Sequence, residues 1–270
     1  MYPLVTGATG TIGSHFSDRC AKSKVDLLNI SRTIGDSEQY LHSTIIHLAG
    51  IVGPTNVLED IERSRKVNVE KTVEFAEKLL ELGLSKFVFA STSHVYAKSE
   101  YPVSEEALIE PQNLYAEQKI EAEMALRNLF SNSTAELAIV RIFSVLDWDC
   151  KDFTLGGLFR RIAEGDTTLQ IRNGDDERDF LTPKSIAETM EGIALKDGMS
   201  GIWNLSSGTS VTVREAATRM LSDVIGNTLV ERVLPGQSDS PRIIGNNQKL
   251  RSALPEVDFS WVPGSYKAKQ

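Results

Sequence analysis

The chain has 270 residues, 41% of them hydrophobic and 24% charged, with 29 Lys and Arg against 37 Asp and Glu for a formal net charge of −8. That length allows one large domain or two small ones, and the near-average composition argues against a disordered, collagen-like or disulfide-rich chain. An acidic chain without a Lys/Arg-rich run is a poor partner for nucleic acid or an anionic membrane, and no apolar run approaches the ~18 residues of a membrane span. The first residues, MYPLVTGATG, lack a basic region followed by an apolar stretch, so they do not read as a secretory signal. Cys20 and Cys150 lack metal spacing and read as reduced, packing thiols of a cytoplasmic protein.

Short runs of Val, Ile and Leu predict strands at 4–5, 25–30, 45–49, 87–90 and 137–142, separated by helices over about 13–23, 66–82 and 115–130. In the second helix Val69, Val73, Ala76 and Leu80 recur at three- and four-residue steps and share one face. Apolar strands alternating with helices indicate an α/β fold, a doubly wound parallel sheet covered on both faces. After about residue 147 the strands shorten and the loops carry Gly, Asp and Pro, as at Asn173-Gly174-Asp175-Asp176 and Leu234-Pro235-Gly236. Two further helices are predicted, one after Thr182-Pro183 and one after Thr212, where Thr212 and Glu215 have capping-box spacing. This divides the chain into a nucleotide-binding part, 1–147 and 179–204, and a smaller α/β part, 148–178 and 205–270, with the cleft between them as the expected ligand site.

Gly7, Gly10 and Gly13 lie in Val5-Thr6-Gly7-Ala8-Thr9-Gly10-Thr11-Ile12-Gly13, between a predicted strand and a predicted helix. Glycines there permit a tight turn and close approach of backbone N–H groups to a pyrophosphate, the pattern of a Rossmann-type dinucleotide site. At the expected tip of the second strand no carboxylate stands to bond adenosine ribose; Ser31 and Arg32 occupy it and favour NADP over NAD. Tyr115 and Lys119 fall on one helix face, where an ammonium would lower the phenol pKa from its usual value near 10. Upstream, the 87–90 strand ends in Ser91-Thr92-Ser93-His94, hydroxyls at the carboxyl edge where open α/β sheets bind ligands, with Thr92 placed to bond a substrate carbonyl. His94 reads equally as a substrate contact or second acid/base and as a turn residue bonded to backbone. His15, His42 and His47 show no ligand spacing, and no metal is expected.

In this order these segments resemble the extended short-chain dehydrogenase/reductase family, in its nucleotide-sugar epimerase/dehydratase branch. The resemblance covers about residues 3–215 and includes Ile46-His47-Leu48-Ala49-Gly50, Val67-Asn68-Val69, Arg141-Ile142-Phe143-Ser144-Val145, the 174–180 segment and Asn204-Leu205-Ser206-Ser207-Gly208. It implies Tyr115 as general acid/base, Lys119 as its electrostatic partner and Thr92 as the carbonyl-binding hydroxyl. It places Gly7, Thr9, Gly10, Thr11, Ile12, Gly13, Leu48, Ala49, Gly50, Asn68, Tyr115, Lys119 and Ile142 around the cofactor with Ser31 and Arg32. It places Ser93, His94, Ser144, Val145 and Arg178 toward substrate, Arg178 on the diphosphate. It also implies a homodimer through the 66–82 and 115–130 helices.

Four departures stand out: only residues 33–44 separate the second strand from the next, Ser93-His94 replaces the dehydratase Asp-Glu pair, Ser144 replaces Asn, and the C-terminal part is short. The leading expectation is an NADP(H)-dependent reductase of a nucleotide-diphosphate-linked keto-deoxysugar. The alternatives are a sugar-nucleotide 4-epimerase with retained NAD and a non-catalytic NADP-binding protein on the same fold.

Overall fold

A computed structural model describes residues 2–22, 27–30, 40, 43–151, 154–166, 174–226 and 242–267. Strands β1 (Leu4–Thr6), β2 (Ala21–Lys22), β3 (Thr44–His47), β4 (Lys86–Thr92), β5 (Glu136–Ile142) and β9 (Gly201–Leu205) form one sheet in the order β2-β1-β3-β4-β5-β9. Every pairing in it is parallel.

Consecutive strand residues point to opposite faces, which is why the strand sequences are continuously apolar. Val5, Ile46, Val88 and Val140 face Ile186, Met190 and Ile193 of the Pro183–Leu195 helix. Leu4, Ile45, Phe87, Phe89 and Ile139 face Phe75 and Leu79 of the Thr72–Glu81 helix and Ala122 and Leu126 of the Leu114–Phe130 helix. Each such buried side chain contributes on the order of 1.5–3 kcal/mol. Both later helices start as their sequences predict. Thr182 caps Ser185 N at 3.1 Å ahead of Pro183, and Thr212 and Glu215 form the full capping box of the Val213–Ile225 helix.

A separate apolar cluster gathers Trp148, Phe159, Ile162, Phe180, Val211, Met220 and Trp261 beyond the carboxyl edge of the sheet's central strands. Around it lie the pairs β6 (Ser144–Val145) with β8 (Phe180–Leu181) and β7 (Glu177–Arg178) with β10 (Val211–Thr212). Leu250, Leu254 and Phe259 pack instead into the core beside the main sheet. Cys20 and Cys150 are buried and unbridged, their thiols pushed up to about 12 mainly by burial, as suits packing groups. Among the described residues no helix is long and apolar enough to cross a membrane.

The first crossover departs from the predicted pattern. Among the described residues, 13–22 hold a 3-10 turn, Gly13–His15, and a strand, Ala21–Lys22, in place of the predicted helix. The backbone turns extended at Phe16, whose ring enters the core with Cys20. Ser17 Oγ donates to the Glu191 carboxylate at 2.8 Å and Arg19 pairs with the same group at 2.8 Å. Ser and Asp in this stretch favour such local and tertiary bonds over a helix ladder. Leu27–Asn29 form a second 3-10 turn. Ser31 and Arg32 lie outside the described residues.

Candidate active site

The glycine loop is closed by its own backbone. Gly7 has φ 71°, and a Cβ there would stand 2.8 Å from Ala49 N. A Cβ on Gly13 would stand 2.2 Å from the Gly7 carbonyl oxygen and 2.7 Å from the Ala8 Cα. Gly13→Ala is therefore expected to prise the loop open, costing about 1–3 kcal/mol and at least about tenfold in dinucleotide affinity. A thermal melt and a fluorescence titration with NADPH read both, and unchanged values in the two would refute the packing argument.

Behind the loop, Ala49 N–H donates to Thr6 Oγ1 at 3.2 Å, and Thr6 Oγ1 lies 2.9 Å from His47 Nδ1. His47 Nε2 lies 3.2 Å from Thr72 Oγ1, which donates to the Val67 carbonyl at 3.2 Å. Burial, with repulsion from Lys119, holds His47 down to about 3, so the ring is neutral and each nitrogen has one role. This chain of bonds ties the loop to the Lys66–Lys71 π turn, a rare geometry that inserts one residue into a helix. Asn68 sits in that turn. Its amide donates to the Ile51 carbonyl and to Gln118 Oε1, both at 2.9 Å, and accepts Ile51 N–H at 2.8 Å, pinning the loop after β3 to the Leu114–Phe130 helix.

Tyr115 and Lys119 share the inner face of that helix, which Asn113 caps through Ala116 N at 3.0 Å. Both are buried. Lys119 Nζ donates to the Ala90 carbonyl at 2.8 Å and stands 4.6 Å above the Phe89 ring and 5.8 Å from the centre of the Tyr115 ring. The expectation that Lys119 lowers the phenol is reversed. Lys119 is turned to Ala90, and desolvation pushes the Tyr115 hydroxyl above its ordinary range, so it keeps its proton at neutral pH. Burial draws Lys119 down to about 8 against the opposing charge of Glu123.

These groups open into a cavity of about 1160 Å³. Gly7, Gly10, Thr11, Ile12, Gly13, Leu48 and Gly50 line one end; Thr92, His94, Tyr115, Lys119, Ile142, Ser144, Val145 and Arg178 line the middle and the far wall. The structure thus brings together most of the residues singled out in the sequence. Thr9 is exposed, Ala49 is set back from the cavity, and Asn68 and Ser93 are buried behind its wall. Sequence reasoning missed Lys151, Thr154, Leu155 and Val213, which reach the cavity from the smaller cluster. It also missed Asn113, although Asn immediately before a helix is a capping signal. Arg178 reaches the cavity beside its partner Asp176, 3.0 Å away.

Most of the residues that line this cavity fall within a stretch that matches a known family. The model for the NAD dependent epimerase/dehydratase family matches residues 3–205. The chain belongs to that family. Within it, the chain is 26% identical to GDP-6-deoxy-D-mannose reductase of Pseudomonas aeruginosa, over 82% of this chain and 79% of that protein. It is 24% identical to UDP-glucose 4-epimerase of Mycolicibacterium smegmatis, over 97% of this chain and 94% of that one. In fold it is similar to the structure of RMD from Pseudomonas aeruginosa complexed with NADPH, with a TM-score of 0.82, 23% identity, and coverage of 97% and 94%.

Proposed function

We propose that the protein is an NADP(H)-dependent reductase of a nucleotide-diphosphate-linked keto-deoxysugar, and the observation that carries this reading is the protonated, cavity-facing phenol of Tyr115 beside Thr92 and Lys119. The glycines fit a dinucleotide, since Gly7 and Gly13 leave no room for a Cβ and Gly10 opens onto the cavity. When bound, a reduced nicotinamide supplies hydride to the ketone carbon. Thr92 Oγ1 holds the carbonyl oxygen, and Tyr115 gives it a proton as charge develops. Lys119 keeps its ammonium on the Ala90 carbonyl, on the same helix face as Tyr115. Arg178 takes the diphosphate and Ser144 and Val145 bound the sugar.

One observation separates reduction from dehydration, and a second favours it over epimerisation. No carboxylates follow Thr92 in the 91–96 segment, as water elimination would require. The crossover after the glycine loop is a single 3-10 turn, which offers fewer aligned N–H groups to a pyrophosphate than a long helix and suits a cofactor that exchanges in each turnover. The relatives point the same way in part: one is a nucleotide-sugar reductase, and a similar fold holds NADPH. A cytoplasmic homodimer joined along the Thr72–Glu81 and Leu114–Phe130 helices, and the division of the chain at 147, 178 and 204, belong to the same reading.

The test is to denature the purified protein, weigh any released nucleotide, and titrate the emptied protein with NADPH and NADH before assaying NADPH oxidation with keto-sugar nucleotides. Preference for NADPH with turnover supports the reductase. Stoichiometric retained NAD without net NADPH oxidation replaces it with the epimerase. The pH profile adds a check with a defined sign. The lowered Lys119 is charged below about 8 and neutral above it, so reductive kcat/KM should be level toward neutral pH and fall as pH rises through about 8. A flat profile to pH of about 10 would remove Lys119 from the reaction.

A further inference from the structure

Asn113 does more than cap the helix that carries Tyr115. Its Oδ1 is committed to Ala116 N–H at 3.0 Å, so the end turned toward His94 is Nδ2, 3.2 Å from the imidazole Nδ1. An amide nitrogen only donates, so Nδ1 accepts and carries no proton. The proton of the neutral ring then sits on Nε2, and among the described residues Nε2 has no hydrogen-bond partner, while His94 lines the cavity. Backbone holds the ring there: His94 N–H donates to Thr92 Oγ1 at 3.3 Å, and the His94 carbonyl accepts Gln112 N–H at 3.0 Å. Protonating Nδ1 would set one N–H against another, and burial and the Arg178 charge also disfavour the imidazolium. The other titratable groups that line the cavity are Tyr115 and Lys119 from the helix, Arg178 of β7 with Asp176 just before it, Lys151, and Glu59, Asp60 and Arg63 from the segment after β3.

Resting on the nucleotide-sugar reading above, we propose that His94 is a neutral hydrogen-bond donor, its tautomer set by Asn113, whose Nε2–H holds an oxygen of the substrate hexose next to the carbonyl bound by Thr92. It is a specificity and positioning residue, and it exchanges no proton during turnover. A hexose with a hydroxyl or carbonyl oxygen at that place satisfies the donor. One with only C–H there leaves it unpaired, and the site discriminates against it. Of the two sequence readings of His94, this takes the substrate contact and removes the second acid/base.

The tautomer is read without substrate. Protein labelled with nitrogen-15 histidine is followed by long-range proton–nitrogen correlation, the His94 signals being those absent from His94→Phe. The wild-type ring should show the Nε2–H form and titrate below the ordinary histidine value. In Asn113→Asp the carboxylate still caps the helix but accepts from Nδ1–H, and the His94 midpoint should rise by at least about one pH unit. A wild-type proton on Nδ1, or a titration near the ordinary histidine value, overturns the proposal.

The sugar contact is measured by calorimetry with GDP-mannose, UDP-glucose and dTDP-glucose, each beside its bare nucleoside diphosphate. His94→Phe should weaken the sugar nucleotide that binds by about three- to tenfold, leave the nucleoside diphosphate unchanged, and be largely rescued in His94→Gln, which keeps a donor. Equal losses for both ligands, or none, overturn the proposal while leaving the nucleotide-sugar reading in place. Failure of all three sugar nucleotides to bind the wild type overturns that reading and the proposal with it.

Discussion

Tyr115→Phe is expected to lower kcat for carbonyl reduction by about 10²–10⁴-fold while leaving NADPH affinity and thermal stability within experimental scatter. The phenol lines the same cavity as Thr92, and burial holds its proton on through neutral pH. Among the described residues its hydroxyl makes no hydrogen bond to protein, and the ring packs at one edge beside Lys119. Removing one oxygen therefore takes away the proton donor and almost nothing else. Stopped-flow NADPH oxidation with a keto-sugar nucleotide measures the chemical step, and circular dichroism with a melt verifies the fold. Residual turnover within about threefold of wild type would mean that another group, or water, protonates the carbonyl oxygen. A non-catalytic binding protein would show no turnover in either form.

The second large effect is on stability. Glu123→Gln should destabilise the protein by about 3–5 kcal/mol, because it leaves the Arg141 guanidinium buried without its counter-charge. The pair is 2–3% exposed. Arg141 donates from Nη2 to Glu123 Oε2 at 2.7 Å and from Nε to Oε1 at 3.2 Å, and Ser91 also donates to this carboxylate. Arg141 further lies 4.8 Å above the Tyr96 ring, whose hydroxyl donates to Asn204 Oδ1 at 2.6 Å, and Asn204 N–H donates to Glu105 Oε1 at 2.9 Å. The network spans β4, β5, β9 and the Leu114–Phe130 helix directly behind Thr92 and Lys119. Urea unfolding gives the measurement. The double change Glu123→Gln with Arg141→Met should recover much of the loss, since it is the stranded charge that is costly. A double variant no more stable than the single one would refute that explanation.

Much of the architecture was legible because it is written in short-range order. Strand faces appear as apolar runs, and the Thr182 and Thr212 caps lie within three residues of the N–H groups they satisfy. The four-residue step from Tyr115 to Lys119 places both on one helix face whatever the rest of the chain does. The glycine spacing likewise marked a loop that must turn and pack tightly. Chemistry that depends on a neighbour distant in sequence was not legible. The sign of the Tyr115 shift turned on where Lys119 points, and that is set by a carbonyl 29 residues away. The roles of the two His47 ring nitrogens depend on Thr6 and Thr72, at separations of 41 and 25 residues.

By itself, then, the sequence determined the parallel α/β order, the helix starts, the glycine loop, and the presence of Thr92, Tyr115 and Lys119 at the ends of adjacent elements. Those follow from propensity, periodicity and capping, which act over one to four residues. Tertiary structure decided that no helix runs on from the Gly13–His15 3-10 turn through Lys22, as Ser17 bonds Glu191 across 174 residues. It decided that Asn68 clamps the cofactor-side loop from a π turn, and that Asn113 sets which nitrogen of His94 carries the proton. Each of these is settled by pairing a buried polar group with a partner far along the chain. An unpaired buried group costs about 1–3 kcal/mol, comparable to or larger than the local preferences that oppose it.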